Sequence, residues 1–292
     1  MIPKEVLEKV RRIEIKTKSI VNDILSGEYH SVFKGQGMEF SEVRTYIEGD
    51  DIRTIDWNVT ARAGDLFVKK YVEERELTVL LVVDASASGN FGTVDKLKAE
   101  IAVELCALLA FSAIKNNDRV GLIIFTSEVE KYIPPTKGKN HVLRVIRELL
   151  YFKPEKTGTD IAKAVEYLNR VQRKRAVVFF VSDFLASDFE AAFRVAGKRF
   201  DMIAVSLFDP RENTFPDVGL IELRDPETQQ AILIDSGSRS FREKFLRNNE
   251  KRRLELKNLF SSMGVDQIEI TTAEDYVDPL VRFFKKRERM LT

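Results

Sequence analysis

The side chains with the most chemistry to offer are those of Asp84, Ser86 and Ser88, in the string Asp84-Ala85-Ser86-Ala87-Ser88 directly after the apolar run Leu77 to Val83. If the chain stays extended as it leaves that run, residues two apart point the same way, and one carboxylate converges with two hydroxyls. Such a hard, all-oxygen half-shell suits Mg²⁺, Mn²⁺ or Ca²⁺, with Mg²⁺ the first expectation, and suits zinc poorly. It also falls at the carboxyl end of a strand, where open α/β sheets place their ligands. Completion must come from other strand or loop ends, and two offer it. Gly158-Thr159-Asp160 opens a helix and brings a hydroxyl, while Ser182-Asp183 ends the run Ala176 to Val181 with a carboxylate. Thr157 competes with Thr159, but Thr159 abuts the helix start, and Asp160 reads as a cap or outer acceptor rather than a direct ligand. The plainer reading of each of these polar residues is a helix cap or turn.

Other chemistry is thinly represented. Glu48, Asp50, Asp51 and Asp56 invite a nuclease or polymerase reading, yet Gly49-Asp50-Asp51 is turn chemistry, and Arg44, Arg53 and Arg62 are at hand to pair with the acids. Trp57 is expected to pack rather than stack on a ligand. His30 and His141 are the only histidines. No G-x-x-x-x-G-K-[ST] string is present, and Gly35-Gln36-Gly37 lacks the strand–helix context of a dinucleotide site. An aspartyl phosphatase needs a second acid where Ser86 stands, and a lysine over the site that the sequence does not assign. Cys106 lies in the apolar run Leu105 to Phe111 and reads as a buried hydrophobe.

The elements that must position these residues follow from hydrophobic pattern. Leu77 to Val83, Val120 to Phe125, Ala176 to Val181 and Met202 to Leu207 are continuously apolar, as strands covered on both faces are. Gln267 to Thr271 is shorter and more polar, as an edge strand would be. Helical periodicity fills the spaces between: Lys96 to Lys115, His141 to Leu150, Asp160 to Val171, Phe189 to Lys198 and Phe241 to Met263. Alternating strand and helix predicts an α/β fold with a doubly wound, mostly parallel sheet. Asn117-Asp118 and Met263-Gly264 are the expected helix stops.

Residues 1–76 precede that alternation, with a helix followed by a Gly-rich acidic segment. Residues 219–236 read as a hairpin around Asp225-Pro226-Glu227-Thr228 inserted into the domain 77–292. These two pieces are expected to pack together as a small β-rich lobe. The chain has 292 residues, 47 Lys and Arg against 46 Asp and Glu, and an apolar fraction of 44%, so it is globular without the basic excess of a nucleic-acid binder. The amino-terminal stretch is amphipathic and charged, and Ile101 to Ile114 is too short to cross a bilayer, so no membrane insertion is expected. One cysteine favours a reducing compartment, and a cytoplasmic location is the expectation.

Asp84-Ala85-Ser86-Ala87-Ser88, followed in order by Thr159 and Asp183, resembles the metal-ion-dependent adhesion site of von Willebrand factor A domains. The stretch GQGMEFSEVRTYIEGDDIRTIDWNVTARAGDLFVKKYVEERE resembles the signature of the bacterial family called domain of unknown function 58. The first resemblance implies a Rossmann-like fold, a metal held by Asp84, Ser86, Ser88, Thr159 and Asp183, no catalysis, and a partner protein that offers an Asp or Glu to the metal. The second implies association with a MoxR-type AAA+ ATPase in complex assembly or maturation. A metal-dependent hydrolase, a phosphoesterase or nuclease using the strand-end aspartates, is the competing function.

Overall fold

The computed structural model describes residues 4–21, 29, 32, 39–72, 76–90, 97–224 and 231–291. His30, Gly35-Gln36-Gly37 and the turn at Asp225 to Thr228 lie outside them. The chain folds as two compact units, one of residues 33–77 and one of residues 1–32 with 78–292.

The larger unit is built on a six-stranded sheet. Strands β3 (Thr78–Asp84), β4 (Arg119–Phe125), β6 (Val177–Ser182), β7 (Asp201–Phe208) and β10 (Asp266–Thr271) are parallel, and β5 (Val129–Thr136) runs antiparallel to β4. Their order is β10-β7-β6-β3-β4-β5. From β3 the chain winds outward to β4 and β5, then returns to the other side of β3 for β6, β7 and β10. The reversal falls between β3 and β6. Val79 through Val83 are buried without a break, because helices cover both faces of the strand.

Helices α5 (Ile161–Val171), α6 (Glu190–Arg199) and α8 (Arg239–Ser262) meet the sheet through one core that runs from Leu80 and Phe180 to Phe193 and Phe260. Helix α3 (Lys98–Lys115) packs on β3 and β4 outside that core, and α1 (Lys4–Ile20) and α4 (Lys139–Leu150) pack on α3. Helix α1, grouped by the sequence pattern with the accessory segment, therefore belongs to the larger unit. The expected stops hold: Asn117 adopts φ +61° after α3, and Gly264 adopts φ +68° after α8. The edge strand β5 and the last helix α9 (Val277–Leu291) are among the elements that were not anticipated. Pro134 and Pro135 disguise β5, yet an outermost strand has no second ladder for their missing N–H groups to interrupt. The hairpin appears as β8 (Leu220–Arg224) and β9 (Ala231–Asp235) within the larger unit. Among the described residues no helix is long and apolar enough to cross a membrane.

In the smaller unit β1 (Glu39–Thr45) and β2 (Phe67–Val72) pair antiparallel, joined through a 3-10 turn at Ile52–Thr54 and helix α2 (Trp57–Ala63). Its ribbon and the β8–β9 hairpin are separate two-stranded sheets, assigned to different units. The acids do turn and cap work. Arg44 grips Asp50 with two bonds of 2.7 Å, Asp51 caps the 3-10 turn, and Asp56 caps α2 through the N–H groups of Asn58 and Val59. Trp57 is 63% exposed rather than packed, since the seven-residue α2 buries none of its side chains and offers no core to hold the ring.

Candidate metal site

The point of reversal in the sheet is where Asp84 and Asp183 emerge. Val83 lies opposite Val181, so Asp84 and Ser182 leave the sheet side by side, and the Ser182 hydroxyl donates to Asp84 Oδ2 at 2.7 Å. Asp84 Oδ1 accepts the Ser86 N–H at 2.9 Å, turning the chain at once, and a 3-10 turn follows at Ala87–Asn90. The extended alternation expected for Asp84, Ser86 and Ser88 is absent. The turn brings the hydroxyls together instead, with Ser86 Oγ and Ser88 Oγ 3.0 Å apart. An aspartate that bonds to the N–H two residues on is a common turn former, which is why convergence survives the loss of the strand.

Asp183 is fixed differently. Its Oδ1 accepts the Leu185 N–H at 3.2 Å, and the next residue, Phe184, has a left-handed backbone at φ +52°. A non-glycine residue there costs about 1–2 kcal/mol. The Phe184 ring offsets that cost by packing against Phe180, Phe189, Phe193 and Phe260, with centroids 5.0–5.9 Å away.

Electrostatically the two aspartates are unequal. Burial, then the Asp183 charge, pushes the Asp84 carboxyl up to about 6 against the opposing hydrogen bonds from Ser86 and Ser182. Among the described residues Asp84 meets only hydroxyl and amide donors. Asp183 has a cation: Lys98 Nζ sits 3.3 Å from its Oδ2 and also bonds Glu212. Lys98 opens α3 and is 2% exposed. Glu212 is held in turn by the Asp209 N–H at 3.0 Å, in the short helix α7 (Pro210–Asn213). A groove of about 240 Å³ opens beside this network, lined by Asp183, Leu185, Glu212 and Arg252 among others.

Thr159 belongs to the loop that enters α5. The Asp160 N–H donates to the Thr126 carbonyl at 2.9 Å, tying the loop to the end of β4, and Asp160 Oδ1 caps α5 through the Lys163 N–H. Thr157 is exposed and Thr159 half-buried. The structure thus brings Asp84, Ser86 and Ser88 into direct contact, joins Asp183 to them through its neighbour Ser182, and stands Thr159 at the adjoining strand end. Among the described residues no three His, Cys, Asp or Glu side chains gather, so any cation here must rely on hydroxyls as well as carboxylates. The donor set fits a hard divalent cation: all the atoms are oxygen, and the Asp84 charge has no counter-ion among the described residues.

Sequence reasoning missed Ser182, Lys98, Glu212 and Arg252. For Lys98 the one available signal is helical phase, since Lys98, Ile101, Ala102 and Leu105 share a face whose other members are apolar. Glu212 and Arg252 carry no such signal, because electrostatic neighbours far apart in sequence leave no periodicity.

A family model described as "Protein of unknown function DUF58" matches residues 42–255. The chain is similar to the uncharacterized protein Rv1480 of Mycobacterium tuberculosis, 30% identical over 285 residues that cover 96% of this chain and 89% of that one. Among solved structures, an aerotolerance-related membrane protein from Bacteroides fragilis shares the fold at a TM-score of 0.50 and 16% identity, covering 73% of this chain and 99% of that one. The VWA domain of SpRpn10 aligns at a TM-score of 0.38 and 12% identity, covering 70% of this chain and 93% of that domain.

Proposed function

The chain belongs to the family of unknown function DUF58, and from that membership and the β3–β6 edge we propose a metal-dependent protein-interaction module without catalytic activity. The observation that carries the reading is the Asp84 carboxylate, 2.7 Å from the Ser182 hydroxyl, bonded to the Ser86 N–H at the turn where the Ser86 and Ser88 hydroxyls meet, and next to a second aspartate, with no cation of its own among the described residues. Asp84, Ser86 and Ser88 would hold a divalent ion, Mg²⁺ before Mn²⁺ or Ca²⁺, together with Thr159 and Asp183. Such an ion, given about five oxygens by the protein, keeps one position for a carboxylate from a partner's Asp or Glu. The family resemblance suggests a MoxR-type AAA+ ATPase as that partner, with this chain as adaptor in complex assembly or maturation. A cytoplasmic setting completes the reading, since the buried thiol of Cys106 needs no oxidised partner.

A hydrolase gains one element that the sequence lacked, a lysine at the site. Lys98 is nonetheless spent on Asp183 and Glu212, and the position two after Asp84 remains a serine. Calorimetric titration with MnCl₂ and MgCl₂ decides the metal assignment: the wild-type chain should bind, and Asp84→Ala should lose most of the affinity while staying folded by circular dichroism. Equal affinity in the two proteins rejects the site. Turnover of phosphoester substrates by the metal-loaded wild type would replace the interaction reading with the hydrolase.

A further inference from the structure

Strand β10 ends the sheet, paired with β7 on one side and, among the described residues, with no strand on the other. A groove of about 510 Å³ runs along that side. Residues 264–269 line it consecutively. Since alternate strand residues point to opposite faces, an unbroken run of lining residues means that the groove meets the strand edge-on. Its backbone N–H and C=O groups on that side have no ladder, which makes the edge a template for another strand.

The walls give the groove a sign. Lys257 of α8 stands on one wall, and Arg282 and Lys286 of α9 on the other; all three are exposed. None of them makes an ion pair or hydrogen bond among the described residues. The acids of the same groove are engaged, Glu269 by Arg253 at 2.7 Å and Asp266 by Arg287 at 3.5 Å. Phe283 and the 68%-exposed Met290 supply apolar wall between the cations. A second copy of this chain is a poor occupant, because edge-to-edge pairing would bring two sets of unpaired cations together.

We propose that the outer edge of β10 is a docking groove for an extended acidic segment of a partner protein, which joins the sheet as a further strand. Backbone pairing with β10 gives the segment its affinity, and Lys257, Arg282 and Lys286 select acidic side chains along it. A segment of about six residues matches the length of β10. The inference uses no metal ligand and stands apart from the metal reading.

A fluorescein-labelled, capped octapeptide of alternating glutamate and valine tests it, titrated with the full chain in chelator and followed by anisotropy. Saturable binding is expected, with a Lys257→Glu/Lys286→Glu variant about tenfold weaker and an alternating lysine–valine peptide inert. Peptides N-methylated on one or the other alternate set of amides give the decisive pair: a strand loses binding for the set that faces β10 and keeps it for the other. Absent binding, or binding that survives both methylations as mere charge attraction would, overturns the proposal. So does a dimer in sedimentation that the acidic peptide cannot compete, which would assign the edge to a second copy.

Discussion

At the scale of single residues, the site is a charge imbalance. Asp84 and Asp183 stand together, and the buried Lys98 ammonium serves Asp183 and Glu212 but not Asp84. Because the folded Asp84 carboxyl lies near 6 instead of 3.8, the native chain holds that proton more tightly than the unfolded chain does. Stability of the metal-free protein should therefore fall as pH rises from about 4 to about 6, and stay lower above that window. Asp84→Asn removes the charge and keeps the shape. In chelator at pH 7 it should stabilise the chain by about 2–3 kcal/mol, a gain that vanishes near pH 4. Urea denaturation at both pH values measures it, and wild-type stability that is flat across the window would contradict the charge argument. Lys98 makes the opposite case. Lys98→Met strips the cation from the buried Asp183 and the half-buried Glu212 and should cost the metal-free chain about 3 kcal/mol. A divalent ion restores positive charge beside Asp183, so Mn²⁺ should raise the melting temperature of this variant by more than it raises the wild type's. Equal shifts would mean that ammonium and metal do not share Asp183.

At the scale of elements, strands covered on both faces were the legible part. The runs ending at Val83, Phe125, Val181 and Leu207 each became a parallel strand within a residue or so of the expected bounds, because uniform burial writes uniform apolarity. The polar strand Gln267 to Thr271 did end the sheet, as its composition suggested. Strand β5 was hidden by its two prolines, and α9 by the charges of its exposed face, among them Lys285, Lys286 and Arg289. At the candidate site, the position of Asp84 at a strand end was legible but the Asx turn after it was not. Residue types name possible partners, and only the fold decides whether Ser86 continues the strand or turns beneath Asp84. Trp57 shows the converse failure: an aromatic ring needs a core to enter, and α2, which carries it, buries none of its side chains.

At the scale of the whole molecule, Asp84, Ser86, Ser88, Thr159 and Asp183 all belong to the larger unit, and residues 33–77 enter the chain between two of its segments. Replacing 33–77 by a short Gly-Ser bridge should leave Mn²⁺ affinity within about twofold of the full chain, as for independent sites; calorimetry on the excised protein checks this. We further propose that the smaller unit selects the partner. A bridged protein that binds Mn²⁺ normally and still captures the same partner would remove residues 33–77 from partner selection. Phe184 gives this separation of labour an evolutionary side. Its ring is one member of a cluster shared by β6, α6 and α8, and its left-handed backbone directly follows Asp183. Close-packed interiors transmit small displacements, so a change of volume at Phe260, far along the chain and out of reach of any cation, shifts the hinge on which Asp183 hangs. If the edge holds a cation as proposed, lineages can drift in ion preference through substitutions in the hidden interior while every oxygen at the sheet edge stays the same.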